Sequence, residues 1–245
     1  MTRHIARGIH GRTVEIIAQR VVTGQLAEGE TLDIPALQHE LDVSQTVLRE
    51  ALRVLAAKGL VDARPKRGTF VRPRSDWRLL DGDVLRWQFA ERPQQRLFDD
   101  LHELRDIVEP GAASLAATRA TEDDIAALDA ALAEMSAAGD DLDAVVAADL
   151  AFHRALLAAA HNELLMRMEV VLETGLAERD RMVHGAQRSA DPVPNHKAVV
   201  DAVRRRQPRQ AERAMRSLLQ KAMEDVARLG GLRERSPDQT GRART

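Results

Sequence analysis

Residues 44–55, SQTVLREALRVL, decide the fold of the N-terminal third of the chain. Leu48, Leu52 and Leu55, together with Ala51, recur at helical spacing and predict a buried stripe along one side of a helix. Ser44 suits the N-cap position, because a serine hydroxyl accepts a hydrogen bond from a free backbone N–H of the first turn. The opposite side of the helix is polar and carries Gln45, Thr46, Arg49 and Arg53.

Two helical patterns precede this segment and a hairpin pattern follows it. The first helix is predicted from Arg12 to Thr23, and a short second helix begins at Pro35, which suits a first helical turn. After Gly59, residues 60–63 and 69–71 read as two strands around a cationic turn at 64–68. Three helices followed by a hairpin predict a winged helix-turn-helix over residues 1–74.

The distribution of charge supports DNA as the ligand of this domain. Residues 1–74 contain twelve Lys or Arg and eight Asp or Glu, although the whole chain carries a net charge of −2. A basic turn and outward arginines can also be plain solvated surface, but helix order, cap, hairpin and charge sign agree on DNA binding. The expected DNA-binding residues are Ser44, Gln45, Thr46, Arg49 and Arg53 on the helix and Arg64, Lys66, Arg67 and Gly68 on the hairpin.

The remainder of the chain predicts a helical bundle, so the expected fold class is mainly α. Aromatic residues make up only 2% of the sequence, which disfavours β-sandwiches. A linker is expected at 75–82, a helical domain at 83–230, and a disordered tail at 231–245. Short breaks between long helices imply antiparallel packing, and Thr121 with Asp124 forms a capping box. The predicted helices are 94–118, 121–138, 140–160, 162–186, 192–206 and 208–229.

The composition also excludes several classes of protein. The chain has no cysteine, so disulfides and thiol-based zinc or iron–sulfur sites are excluded. The N-terminus, MTRHIARGIHGR, is basic but lacks the apolar core of a signal peptide, and no segment is apolar enough to span a membrane. A cytoplasmic location without a membrane partner is therefore expected.

Polar residues interrupt the apolar stripes of the bundle at three places. Asp149 and His153 lie one turn apart on an inner face, His196 begins the stripe of a later helix, and Arg105 lies among leucines. Buried ionisable groups are costly unless they are paired, so these four side chains are expected to line one polar pocket. The alternative is that each histidine is a separately satisfied core residue.

The first domain resembles the GntR family of bacterial transcription regulators. The similarity lies in Gly29–Leu32, in Leu41–Arg53 and in Lys58–Val71, and it covers nearly all of residues 12–72. Asp42 stands where the family usually has glycine. Gln45 stands where the family usually has arginine. Glutamine favours adenine and arginine favours guanine, so adenine is expected at the base that this residue reads.

The second domain resembles the FCD domain of the FadR subfamily within that family, which implies that residues 83–230 form an effector-binding and dimerisation domain. The resemblance rests on Glu103–Arg105 with Val108-Glu109, on Asp149–His153, on Asn162, and on His196 with Ala202. It implies a divalent metal site, zinc or a similar ion, in which Asp149, His153 and His196 supply three ligands. The fourth ligand, a histidine in the family, falls at Leu218. No cofactor is certain.

A narrower similarity, to galactonate-repressor-type regulators, lies in Trp77, Leu80–Trp87 and Arg105–Pro110 and implies a sugar-acid effector. Arg105 would pair with the carboxylate of an aldonate, and Asp149, His153 and His196 would bind its hydroxyls, with Asn162 as a further site residue. The expected function is repression of a sugar-acid catabolic operon by a homodimer on palindromic double-stranded operator DNA, released by the effector.

Three alternatives to this function remain. The effector could be another small organic acid, such as lactate or pyruvate, held with a divalent metal. A metal-dependent enzyme would use Asp149, His153 and His196 as catalytic ligands, but no recognisable motif places a glutamate or a nucleophile near them, and a basic winged helix would be unexplained. A structural helical adaptor would bind neither DNA nor an acid.

Overall fold

The computed structural model describes residues 8–90, 95–174, 176 and 191–234. The fold is mainly α-helical, as predicted, and its described residues contain one two-stranded antiparallel sheet. The chain divides into two compact units, Met1–Gln94 and Gln95–Thr245. Among the described helices, none combines the length and the apolar character that a membrane span requires.

The first unit begins with three helices, α1 (Ile9–Val22), α2 (Ile34–Glu40) and α3 (Gln45–Ala57). Asp33 caps α2 by accepting from the backbone N–H of Ala36 at 3.0 Å, and Ser44 caps α3 as predicted. The turn between α2 and α3 passes through Asp42, whose φ is +50°. This left-handed conformation suits glycine best and aspartate tolerably, which explains why either residue can occupy the turn.

The predicted hairpin follows α3. Strands β1 (Val61–Arg64) and β2 (Gly68–Val71) pair antiparallel, with Val61 opposite Val71 and Arg64 opposite Gly68. Arg64 therefore belongs to a strand rather than to the turn. Lys66 in the turn and Gly68 after it have φ values of +67° and +81°. The first unit is thus a winged helix-turn-helix.

The first unit continues beyond the hairpin, which differs from the expected linker at 75–82 and domain start at 83. A 3-10 turn at Arg74–Asp76 leads to α4 (Gly82–Ala90), and the contacts divide the chain only between Gln94 and Gln95. Trp77 and Trp87 cause this difference, because both indole rings are buried in the same apolar core as α1 and α3.

The second unit is a bundle of helices around an alanine- and leucine-rich core. Thr121 and Asp124 form the predicted capping box at the start of the helix that begins at Glu122. The helices are α5 (Gln95–Arg119), α6 (Glu122–Ala137), α7 (Leu142–Ala159), α8 (Glu163–Arg167), α9 (Val193–Arg204) and α10 (Pro208–Glu234).

Two sequence expectations in this unit differ from the structure. The single helix predicted over 162–186 is interrupted, because α8 ends at Arg167 with Met168 as its C-cap and residues 169–174 are helical again. Residues 175 and 177–190 of that prediction lie outside the described part. Residues 231–234 of the expected disordered tail belong to α10, and 235–245 lie outside the described part.

Candidate DNA-binding surface and candidate effector site

Helix α3, here called the recognition helix, presents a polar face to solvent. Its inner stripe is buried as predicted, with Leu48, Ala51, Leu52 and Leu55 in the core. The Ser44 hydroxyl accepts from the backbone N–H of Val47 at 3.3 Å and so fixes the first turn. The predicted DNA-contacting residues that remain exposed on this helix are Gln45, Thr46, Arg49 and Arg53.

The hairpin, here called the wing, holds its arginines against an aromatic ring. The Arg67 guanidinium lies 3.6 Å from the centroid of the Phe70 ring and donates to the backbone carbonyl of Gly29 at 3.0 Å. Arg64 lies 3.5 Å from a carboxylate oxygen of Asp62. Lys66, at the tip and in a left-handed conformation, is exposed. Lys66 is therefore the best placed of the three cations to reach a phosphate, while Arg67 also stabilises the wing.

A second candidate site lies inside the bundle, where α5, α7 and α9 bring five ionisable side chains together. The structure unites the four predicted residues, and their ionisable groups are almost completely withdrawn from solvent. A fifth, Glu109 on α5, is only 1% exposed. The five residues are Arg105, Glu109, Asp149, His153 and His196, here called the buried cluster.

Glu109 is the site residue that sequence reasoning missed. Arg105 Nε lies 2.6 Å from Glu109 Oε1, and His153 Nδ1 lies 2.8 Å from Glu109 Oε2. Burial alone would raise the pKa of the Glu109 carboxyl, but the Arg105 guanidinium and the contact with His153 lower it to about 2. The signal that could have identified Glu109 is its spacing from Arg105. Residues four apart on a helix face each other, and Arg105 and Glu109 have opposite charges.

The contacts of His153 fix its tautomer. Arg105 Nη2 lies 3.2 Å from His153 Nε2, and a guanidinium can only donate, so Nε2 accepts. The ring proton is then on Nδ1, which faces the Glu109 carboxylate. His153 Nε2 also lies 3.7 Å from Asp149 Oδ2. A metal ion at this nitrogen would have to displace the Arg105 guanidinium from the same lone pair.

The contacts of His196 leave one nitrogen facing a carboxylate. His196 Nδ1 lies 2.8 Å from the Pro192 carbonyl oxygen, which can only accept, so the proton of the neutral ring is on Nδ1. His196 Nε2 lies 3.0 Å from Asp149 Oδ1 but is not aligned for a hydrogen bond. Two acceptors this close repel each other, so a proton, a cation or a hydroxyl donor between them would stabilise the arrangement.

The donor set fits a divalent ion only in part. One ligand atom from each of Asp149, His153 and His196 can be chosen so that all three lie within 4.8 Å of one another. The Nδ1 contact of His196 with a carbonyl is also the usual outer contact of a metal-bound histidine. Leu218, where the family pattern has the fourth ligand, is a buried core residue that offers no donor atom.

Asn162 lies at the start of α8, and no described contact joins it to the buried cluster. Its side-chain oxygen accepts from the backbone N–H groups of Leu164 at 3.0 Å and Leu165 at 3.3 Å. This oxygen is therefore engaged in capping α8. The predicted effector role of Asn162 has no support in these contacts and stays a prediction.

Comparison with known proteins places both units. Residues 10–71 match the model of bacterial regulatory proteins of the gntR family, and residues 100–221 match the FCD domain. The chain is 35% identical over 212 residues to the galactonate operon transcriptional repressor of Escherichia coli strain K12, covering 85% of this chain and 92% of that protein. It is 32% identical over 202 residues to the HTH-type transcriptional regulator LutR of Bacillus subtilis strain 168, covering 80% and 90%.

Among solved structures, E. coli McbR/YncC has the same fold, with a TM-score of 0.52, 18% identity, and coverage of 92% of this chain and 99% of that one. The matched families and relatives are transcriptional regulators, and the protein is a DNA-binding regulator rather than an enzyme. The chain belongs to the GntR family of bacterial transcription regulators, and its second unit carries an FCD domain.

Proposed function

We propose that the protein is a cytoplasmic repressor of a sugar-acid catabolic operon and that a small polyhydroxy carboxylate releases it from its operator. The observation that carries this proposal is the buried cluster, in which a guanidinium, two carboxylates and two imidazoles from three helices converge. Ionisable groups in an apolar core need pairing or hydrogen bonds, and a polar ligand bound among them would supply further hydrogen bonds. The similarity to the galactonate operon repressor supports a sugar acid as that ligand.

The contacts assign a role to each side chain of the cluster. Arg105 would bind the effector's carboxylate, in competition with Glu109, which holds the same guanidinium through its Nε. A hydroxyl of the effector would donate to Asp149 Oδ1 or to His196 Nε2, whose mutual repulsion it would relieve. His153 Nε2 would accept from a second hydroxyl once Arg105 turns toward the ligand. Asn162 would contribute only if α8 gives up its cap.

On DNA the protein would act as a homodimer on an inverted repeat, because one recognition helix reads only a few base pairs and two half-sites multiply specificity. The exposed polar face of α3 would enter the major groove, and Lys66 with Arg64 and Arg67 on the wing would contact the backbone or minor groove. Footprinting tests this arrangement, since protection of one asymmetric half-site would contradict it.

A second candidate keeps a divalent metal in the cluster. The observation that favours it is the pair of acceptors at His196 Nε2 and Asp149 Oδ1, which a cation would join. Asp149, His153 and His196 would hold the ion, and the ion would supply a Lewis-acidic centre for the effector's oxygens. Another small organic acid would then also serve as effector.

Calorimetric titration with D-galactonate, before and after treatment with a chelator, separates the two candidates. Direct recognition predicts the same affinity in both preparations. Metal-mediated recognition predicts that chelation weakens binding of the acid to the protein. It also predicts that added zinc and the acid raise each other's affinity for the protein by the same factor. If neither D-galactonate nor other sugar acids bind in either preparation, the sugar-acid proposal is wrong.

A further inference from the structure

The charge of Lys58 is satisfied within the protein, although this lysine lies at the end of the recognition helix. Lys58 is the C-cap of α3, and its Nζ lies 2.7 Å from Asp81 Oδ1 and 2.9 Å from Asp83 Oδ2. The Lys58 side chain is 15% exposed, compared with 75% for Arg53 on the same helix. Its ammonium group is therefore held by two carboxylates and is poorly available to a DNA phosphate.

Asp81 links the end of α3 to the start of α4. The oxygen Oδ1 that binds Lys58 also accepts from the backbone N–H groups of Asp83 at 3.0 Å and Val84 at 3.3 Å. One carboxylate thus caps α4 and pairs with the cation at the end of the recognition helix.

The backbone around Lys58 is equally constrained. The N–H of Arg78 donates to the Lys58 carbonyl oxygen at 3.0 Å. Gly59 has a φ of +82°, and a Cβ atom built there would overlap the backbone carbonyl of Asp76. The segment after the wing therefore passes directly against the end of α3, with no room for a side chain between them.

Helix α4 is also held on α1. Glu15 accepts from the indole N–H of Trp87 at 2.7 Å and from the guanidinium of Arg86 at 2.6 Å. The indole of Trp87 is 1% exposed. Helix α4 therefore contacts α1 directly and reaches the end of the recognition helix through the Lys58 ion pairs.

We propose that Lys58 is a positioning residue for operator recognition, which sets the recognition helix against α4 through Asp81 and Asp83 and makes no contact with DNA. Base readout depends on side chains held within about 0.5 Å of their required places, whereas non-specific phosphate attraction tolerates larger shifts. Loss of the Lys58 ion pairs should therefore weaken specific binding more than non-specific binding.

The test measures binding of the full-length protein to two DNA probes over a range of salt concentrations. The specific probe is the duplex that the wild-type protein selects from a random library, and the non-specific probe is poly(dI-dC). The variants are Lys58→Met, Asp81→Asn and Lys66→Met, the last a matched control at the exposed tip of the wing. Asparagine at 81 keeps a side-chain oxygen for the α4 cap, so Asp81→Asn removes the charge and preserves the cap.

Asp81→Asn decides between positioning and simple electrostatics by the sign of its effect. Removal of a negative charge from a DNA-binding unit should tighten binding to both probes if only long-range attraction matters. Positioning instead predicts a loss of roughly threefold to tenfold on the selected duplex, the effect of a partly buried ion pair, without a loss on poly(dI-dC). Unchanged or tighter binding of the selected duplex overturns the proposal.

Lys58→Met should weaken binding to the selected duplex to a similar extent. The slope of the logarithm of the binding constant against the logarithm of the salt concentration should stay unchanged. Lys66→Met should reduce that slope by about 0.9 for each phosphate that Lys66 neutralises in the wild-type complex. A reduced slope for Lys58→Met would identify Lys58 as a phosphate-binding residue and overturn the proposal. If Asp81→Asn does not fold, Asp83→Asn, whose side chain caps no helix, replaces it with the same expected outcomes.

Discussion

Arg105 and Glu109 lie one turn apart on α5 and form an ion pair, with Nε 2.6 Å from Oε1, in which both side chains are almost fully buried. The cation expected to receive the effector's carboxylate is thus already neutralised by a carboxylate of the protein. Binding of an acid would exchange one carboxylate for another at Arg105, and the released Glu109 would still face His153. On the proposed function, the affinity for the effector would therefore depend on how strongly Glu109 holds the guanidinium.

The buried pair should show strong coupling in a double-mutant cycle. Arg105→Met or Glu109→Met alone should cost about 3–5 kcal/mol of unfolding free energy, because each leaves an uncompensated buried charge. The double variant should cost clearly less than the sum. Denaturation followed by circular dichroism measures this, with the exposed pair Glu50 and Arg53 as a control whose coupling should stay below about 1 kcal/mol. Additive effects of the two α5 substitutions would show that the pair does not form.

Two glycines with similar φ provide a direct test of the close approach at the end of α3. Gly24→Ala (φ +77°) should cost about 1–2 kcal/mol, the penalty of a left-handed conformation, because no atom lies within 4 Å of its new Cβ. Gly59→Ala (φ +82°) should cost clearly more, because its Cβ would also overlap the Asp76 carbonyl. Both tryptophans, Trp77 and Trp87, lie in the first unit, so intrinsic fluorescence reports its unfolding. Equal losses of stability would exclude the overlap.

Local patterns were sufficient to predict the winged helix-turn-helix, because the stripe of α3, the Ser44 cap and the hairpin turn are all set by neighbours in sequence. Four of the five members of the buried cluster were predicted for the same reason, since each of Arg105, Asp149, His153 and His196 interrupts an apolar stripe. The attachment of α4 was not predicted, because the pairing of Lys58 with Asp81 joins residues far apart in sequence. Glu109 was missed as a site residue because a glutamate one turn after an arginine is also common on solvated helix surfaces.

Arg49 should be required for DNA binding but not for folding. Arg49→Ala should weaken binding to the selected duplex by about 1–3 kcal/mol, the usual cost of a base or charge-assisted phosphate contact. The side chain is exposed and lies off the buried stripe, so the thermal unfolding temperature should stay unchanged. Arg213→Ala, which changes another exposed arginine, on α10 of the second unit, should leave retardation in a mobility-shift assay unaffected. If the Arg49→Ala variant retards the probe as strongly as the wild type does, Arg49 does not belong to the DNA interface.

Leu218→His should complete a four-ligand metal site if the family pattern is correctly aligned at this position. Without metal, a polar ring at this buried position should destabilise the second unit by about 1–3 kcal/mol. Zinc should restore the lost stability. It should also bind the variant more tightly than the wild type, because the fourth protein ligand completes the coordination sphere. Calorimetric titration with zinc measures the affinity, and Leu219→His on the same helix serves as control. Equal zinc affinities of all three proteins would place the fourth ligand position elsewhere.

The Lys58 and Asp83 pair should make the stability of the first unit depend on pH in a defined direction. Burial alone would raise the pKa of Asp83, but Lys58 and Arg86 more than offset this and lower it. A carboxyl whose pKa is lower in the folded than in the unfolded state contributes stability above its unfolded pKa and loses it as pH falls through the folded value. Stability measured by tryptophan fluorescence in urea should therefore fall below about pH 4, the ordinary range of an aspartate.

The variant Asp83→Asn provides the comparison for this loss of stability at acidic pH. The variant should be less stable than the wild type at neutral pH, and its stability should fall less steeply on acidification, because one proton-binding group has been removed. Burial would also lower the pKa of Lys58, but Asp81 and Asp83 raise it, so the lysine's contribution is lost only as pH rises through that raised value. The lysine therefore does not contribute to the loss of stability at acidic pH, and the difference between the two proteins there reports on Asp83. Parallel pH profiles for the two proteins would show that Asp83 is not engaged by Lys58 in solution.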